Sequence, residues 1–242
     1  MDLSFENTVA LVFGSGLATA RAFAEVGGAV AMADIDEHAA CIAAESLAVA
    51  GHKALAIRCN VADEAEVAAM VDRTVAAFGG LDAAFNNVDM HAPSGETADA
   101  EAEDFDHVIA INLRGIWACM KHELRHMRTR GSGAIVNCSS QSSLIGTAGL
   151  GAYTASKHGI VGLTKAAALE YAPRGIRINT VCPSTTNTSM VVKALPDHPK
   201  SMHAVKRAIA LGRPGLREEI ASTAFWGKVR HVTPATAGSP RR

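Results

Sequence analysis

The sequence predicts an α/β protein, a single domain built on one doubly wound parallel sheet with helices on both faces. Two observations predict it. Short apolar runs at residues 9–13, 29–33, 54–58, 81–85, 133–138 and 176–182 alternate with longer segments whose apolar residues recur at three- and four-residue spacings. Strands covered on both faces read as continuous apolar runs, and their alternation with helices is the rhythm of βαβ units. The second observation is size. A chain of 242 residues fits one domain and buries a core that needs no metal or disulfide staple. The domain is expected over residues 1–233, with a substrate lid at about 184–212 and a loose tail at 234–242, where two prolines and small residues suit no interior strand.

Composition narrows the function classes. Lys and Arg total 23 against 24 Asp and Glu, so no global positive field favours nucleic acid or an anionic membrane. A small neutral or anionic substrate remains open. Cys41, Cys59, Cys119, Cys138 and Cys182 are odd in number and form no Cys-x-x-Cys, which speaks for reduced, mostly buried thiols. The start has no basic region followed by an apolar one, and no stretch approaches the length of a membrane span, so a cytoplasmic protein is expected.

Taken in order, the strand at 9–13 runs into Gly14-Ser15-Gly16-Leu17 and an Ala-rich helix at 18–26. A turn that frees backbone N–H groups at the positive end of a helix suits a pyrophosphate, although an ordinary strand-to-helix turn has the same outline. Asp34 ends the next strand twenty residues after Gly14, where a Rossmann-like unit places the carboxylate that accepts from the adenosine ribose. Such a carboxylate repels a 2′-phosphate. No Arg or Lys follows it or lies in the turn, so NAD is expected rather than NADP. The alternative for Asp34 is a helix cap, for which Asp36 is better placed ahead of the helix at 37–50. A helix at 62–78 follows the third strand, and a long one at 103–128 carries Val108, Ile111, Ile116, Met120 and Leu124. On it His122 and His126 share a face at i, i+4. With no third ligand candidate nearby they read as a solvated basic face with Lys121 and Arg125, and no metal is expected.

The strand at 133–138 ends in the polar loop Ser139-Ser140-Gln141-Ser142-Ser143, and Ser140 stands thirteen residues before Tyr153. The periodicity at 158–172 predicts a helix with Tyr153 and Lys157 one turn apart near its start. A cation beside a phenol favours the phenolate and makes a proton-transfer group. A hydroxyl at Ser140 could hold a substrate oxygen opposite it. Taken alone, Tyr-x-x-x-Lys is equally a solvated helix face.

With Asn112-Leu-Arg-Gly115, Leu81-Asp-Ala-Ala-Phe-Asn-Asn87, Tyr153-Thr-Ala-Ser-Lys157 and Arg177-Ile-Asn-Thr-Val-Cys-Pro183, the chain resembles the short-chain dehydrogenase/reductase family over roughly residues 8–221. The resemblance implies hydride transfer between a nicotinamide and a secondary alcohol or its ketone, with Tyr153 as acid/base. Lys157 would lower the Tyr153 pKa and bind the nicotinamide ribose, Ser140 would hold the substrate oxygen, and Asn112 would kink its helix and anchor a proton relay. It further implies that Asn60 and Val61 border the adenine, that Asn86 lies near the cofactor, that Pro183, Thr186 and Thr188 serve the nicotinamide carboxamide, and that the protein is a homodimer or homotetramer. Four departures stand out: a shortened glycine turn against the family's Thr-Gly-x-x-x-Gly-x-Gly, Asp89 where Asn-Asn-Ala-Gly has glycine, Ser184 for glycine after Pro183, and no recognisable last strand. They motivate a second reading, a cofactor-poor relative acting as a structural or regulatory partner in an oligomer.

Overall fold

The computed structural model describes residues 5–14, 16–186, 209 and 211–226. Among the described residues six parallel strands form one sheet: β1 (Val9–Phe13), β2 (Ala29–Asp34), β3 (Ala54–Arg58), β4 (Ala83–Asn86), β5 (Gly133–Cys138) and β6 (Ile176–Val181), in the order β3-β2-β1-β4-β5-β6. β1 is central, with Leu11 opposite Ala31 of β2 on one side and Ala84 of β4 on the other. The chain winds outward from β1 twice, in opposite directions. That reversal opens a crevice at the carboxyl ends of β1 and β4.

Side chains alternate across a strand, and here both faces are apolar. Leu11, Phe13, Ala31, Ile57, Ile135 and Ile178 meet α3 (Glu64–Phe78), α5 (Gly115–Arg130) and α6 (Gly151–Tyr171) through Val67, Met70, Ile116, Leu124 and Ile160. Ala10, Val12, Val30, Met32, Phe85 and Val136 meet α1 (Leu17–Glu25), α2 (Glu37–Val49) and α7 (Arg217–Trp226) through Ala20, Phe23, Leu47 and Ala224. Asp36 caps α2 by accepting from the Ala39 amide at 3.1 Å, and Asp63 caps α3 by accepting from Ala65 at 2.8 Å. All five cysteines are free. Burial pushes the Cys59 and Cys138 thiols up to about 12.

One element differs from expectation. The helix expected over 103–128 is α4 (Ala102–Val108), a six-residue π-helical turn at Ile109–Arg114, and then α5. Such a turn widens the helix and marks functional positions, and Asn112 sits inside it. α6 runs Gly151–Tyr171, with Tyr153 and Lys157 one turn apart near its start as the sequence predicts. The expected lid lies mostly, and the expected tail wholly, outside the described residues.

A polar thread ties β4, β5, α5 and α6 beneath the crevice. Asn86 Nδ2 donates to Asn137 Oδ1 and to Glu123 Oε2, each at 3.0 Å, and Asn137 Nδ2 donates to Thr164 Oγ1 at 2.9 Å. Glu123 is fully buried. Burial pushes its carboxyl up to about 7 and the Asn86 bond draws it partly back. A carboxyl that holds its proton longer in the folded than in the unfolded chain loses stability as pH rises from its unfolded value through about 7. Glu123→Gln keeps an acceptor for Asn86 and removes the charge. It is expected to stabilise the protein by roughly 3 kcal/mol at pH near 8 and by little near pH 5, read from urea melts at both. Equal gains at the two pH values would free Glu123 of this role.

Candidate active site

A cavity of about 370 Å³ opens at the crevice. Gly16 and Thr19 line it from the start of α1, Asp89 and His91 from the chain after β4, Ser140 from the end of β5, Tyr153 and Lys157 from α6, and Pro183 and Thr186 from the chain after β6. Of the site residues expected from sequence, Gly16, Ser140, Tyr153, Lys157, Pro183 and Thr186 are brought to this common wall.

The glycine turn is tightly enclosed. Gly14 has φ +74°, and a Cβ there would stand 2.3 Å from the Asn87 carbonyl oxygen; one at Gly16 would stand 2.4 Å from Val12 Cγ1. The Gly14 amide donates to Ala33 O at 2.8 Å and the Gly16 amide to Gly14 O at 2.6 Å. Among the described residues the open donors on this side are the first-turn amides of α1, from Leu17 onward. Ser15 and Thr188 lie outside the described residues.

Asp34, Asn60, Val61 and Asn86 stand off the cavity wall. Asp34 Oδ1 accepts from the Asp36 amide at 3.0 Å while Asp36 does the helix capping. Asn60 Oδ1 accepts from the Ala62 amide at 3.1 Å, and Val61 packs against Gly115 so closely that a Cβ there would come within 2.9 Å. Asn86 belongs to the buried thread below.

Asn112 is fully buried and pairs with both backbone groups of Met90: Oδ1 accepts from the amide at 2.9 Å, and Nδ2 donates to the carbonyl at 2.8 Å. It thereby holds the loop that carries Asp89 and His91. Nδ2 also lies 3.3 Å from Ser156 Oγ on α6. Ser140 caps the turn Gln141–Ser143, its Oγ accepting from the Ser142 amide at 3.2 Å. Ser184 Oγ donates to Gln141 Oε1 at 2.8 Å, so the residue in place of glycine braces that turn.

Lys157, 1% exposed, donates from Nζ to Val88 O at 3.0 Å and meets Asp89 Oδ1 at 3.0 Å; Nζ stands 5.3 Å from the Tyr153 ring centre. Burial works against the Asp89 charge, but His91 and Lys157 outweigh it and hold the carboxyl at about 2. The Tyr153 phenol is correspondingly raised, first by its own burial and then by the Asp89 charge, with Ser140 drawing it partly back. Against the sequence expectation of a phenol lowered by Lys157, burial dominates and the Asp89 carboxylate in contact with Lys157 adds to the rise. Asp89 also needs no left-handed backbone: among the described residues the one non-glycine at positive φ is Asn7.

His91 escaped the sequence reading. Its ring stacks on Tyr153 with centroids 4.0 Å apart and planes at 20°. The only signal was an imidazole two residues from a carboxylate at an expected strand end. A second oversight is that His122, Glu123 and His126 spell H-E-x-x-H. α5 turns Glu123 into the core, while His122 Nε2 lies 3.3 Å from Glu64 and its side chain is 14% exposed, so this face is packed on α3 rather than solvated. Among the described residues no three His, Cys, Asp or Glu are grouped to hold a metal ion, and no helix is long and apolar enough to cross a membrane.

The chain is similar in sequence and fold to known proteins. The family described as enoyl-(acyl carrier protein) reductase matches residues 10–226. The chain is 41% identical over 225 residues to a cis-4-hydroxycyclohexanecarboxylate dehydrogenase of Sinomonas cyclohexanicum, covering 91% of this chain and 89% of the relative. It is 37% identical over 225 residues to a cyclohexanol dehydrogenase of an Acinetobacter species, covering 91% and 87%. Among solved structures, an NAD+-bound xylitol dehydrogenase superposes with a TM-score of 0.86 at 30% identity, covering 93% of each chain.

Proposed function

Because the chain belongs to the short-chain dehydrogenase/reductase family, an oxidoreductase family, we propose that it transfers hydride between NAD(H) and a secondary alcohol or ketone on a six-membered ring. The observation that carries this reading is the convergence of Ser140, Tyr153 and Lys157 on one wall of a single cavity. The ring preference draws on the relatives, which are named for a hydroxycyclohexanecarboxylate and for cyclohexanol.

The residues present fit a dinucleotide. Where Gly14 and Gly16 stand, a Cβ would strike Asn87 and Val12, and Ala18 and Thr19 in the first turn of α1 line the cavity beside Gly16. The first-turn amides of α1, from Leu17 onward, would hold the pyrophosphate, with Gly14, Ser15 and Gly16 forming the turn beside it; Asp34 would hold the adenosine ribose, and Asn60, Val61 and Asn86 would serve the adenine side and its approach. Lys157 would hold the nicotinamide ribose, and Pro183, Thr186 and Thr188 the carboxamide. When bound, NAD supplies the hydride acceptor or donor.

The protein supplies orientation and the proton. Ser140 donates to the substrate oxygen and fixes it against the Tyr153 hydroxyl. Tyr153 takes the alcohol proton during oxidation and returns it during reduction. With the phenol raised, the neutral form predominates at neutral pH, which suits ketone reduction. Asn112 acts from below by holding the Met90 backbone.

Incubation with NAD and a panel of cyclic and open-chain secondary alcohols should build the NADH absorbance band, fastest with the cyclic ones. No absorbance with any alcohol, together with no thermal shift by NAD, would favour the non-enzymatic oligomer partner. Asp34→Ala should relax the preference for NAD over NADP, since it removes both a ribose acceptor and the charge facing a 2′-phosphate. An unchanged cofactor ratio would leave Asp34 with only its local bond to Asp36.

A further inference from the structure

We propose that Asp89 is a positioning residue which, by pairing with Lys157 and His91, sets the pH at which Tyr153 exchanges its proton. The inference rests on the reading of Tyr153 as the proton carrier. Asp89 stands where the family pattern has glycine, and it fills that place with a built contact. One carboxylate oxygen meets Lys157 Nζ at 3.0 Å and the other faces His91 Nε2 at 3.6 Å. The His91 ring then lies flat on the Tyr153 ring at 4.0 Å. A single carboxylate thus bridges a buried ammonium on α6 to an imidazole covering the phenol. The Asn112 bonds to Met90, the residue between Asp89 and His91, hold both ends of this bridge in place.

The charges facing the phenol decide the sign. From α6 comes Lys157, from the loop after β4 come Asp89 and His91, from the end of β5 come Cys138 and Ser140, and Arg217 at the start of α7 lines the same cavity. Lys157 and Asp89 are in direct contact and cancel at a distance. A phenolate forming beside them feels the carboxylate as a like charge, and the raised phenol agrees with that. An uncharged residue at this position would leave the ammonium unbalanced and favour the phenolate.

The chain has two tyrosines, so Tyr171→Phe leaves Tyr153 as the only one whose ionisation is seen in the tyrosinate absorbance. In that background Asp89→Asn and Asp89→Gly are both expected to lower the Tyr153 titration midpoint by about one pH unit or more, a tenfold gain in phenolate at a given pH. The pH profile of kcat/KM for alcohol oxidation should move by the same amount. Asp89→Gly carries the family's own residue, so it keeps the test open if the Asn variant does not fold. A midpoint unmoved in folded variants overturns the proposal, since a purely structural Asp89 would not shift it. A midpoint that moves while the rate profile does not upholds the control by Asp89 and removes Tyr153 from proton transfer instead.

Discussion

Tyr153→Phe should lower kcat for alcohol oxidation by about 10²-fold or more, the usual effect of losing a positioned acid/base. Structure makes the substitution clean. The ring is 7% exposed, packed under His91 and beside Lys157, and phenylalanine fills the same space with the same stack. Thermal stability should therefore hold, and so should NAD affinity, because the contact to the nicotinamide ribose is assigned to Lys157. A second signature accompanies the loss. Since the phenol titrates above its ordinary value, oxidation by the parent chain should climb about tenfold per pH unit below that point, and the Phe variant should lose the slope. Undiminished oxidation in the variant would take Tyr153 out of the mechanism.

NAD affinity should be weaker by roughly 10- to 1,000-fold than in a relative with the full-length glycine turn. The turn is the reason. Its Gly14 and Gly16 amides are both engaged within the protein, with Ala33 O and Gly14 O, and α1 begins at Leu17. One or two donors that a longer turn presents to a pyrophosphate are thereby missing. A hydrogen bond to a charged group contributes about 1.5–3 kcal/mol, and each 1.4 kcal/mol is about tenfold in Kd. Titration calorimetry measures this directly. Inserting a family-length turn between Phe13 and Leu17 should tighten binding by at least tenfold. If the chain already binds NAD at low micromolar Kd and the insertion adds nothing, the amides of α1 suffice by themselves.

Much of this architecture was legible because buried parallel strands read as predominantly apolar runs. Val9–Phe13 and Gly133–Cys138 were read to the residue, and the spacing of Gly14 to Asp34 placed the first βαβ unit. The Tyr153 and Lys157 spacing likewise needs only helix geometry. What could not be read depends on contacts through space. The π-helical turn at Ile109–Arg114 keeps a helical apolar pattern, so no residue announces the widened turn. Asp89 looked like bulk in a glycine's place because its partner, Lys157, is 68 residues away in sequence. His91 acquires meaning only once its ring is seen on Tyr153. Glu123 sits in a run of charged residues whose spelling suggests a solvated face, and only the rotation of α5 shows that it is the one turned inward.

The strand order also dictates a sequence of events during synthesis. β1, β2 and β3 with their two helices occupy the first 58 residues, so half of the sheet can assemble before β4, at Ala83, has left the ribosome. β2 can pair with β1 after a crossover of ordinary length, whereas closing β4 onto β1 brings Ala83 to Ala10 across a loop of about seventy residues, a slow step in a topology rich in distant contacts. Until it closes, the inner edge of β1, Ala10-Leu11-Val12-Phe13, is an unpaired apolar template for another chain. A nascent chain stalled between β3 and β4 would be the species most in need of a chaperone.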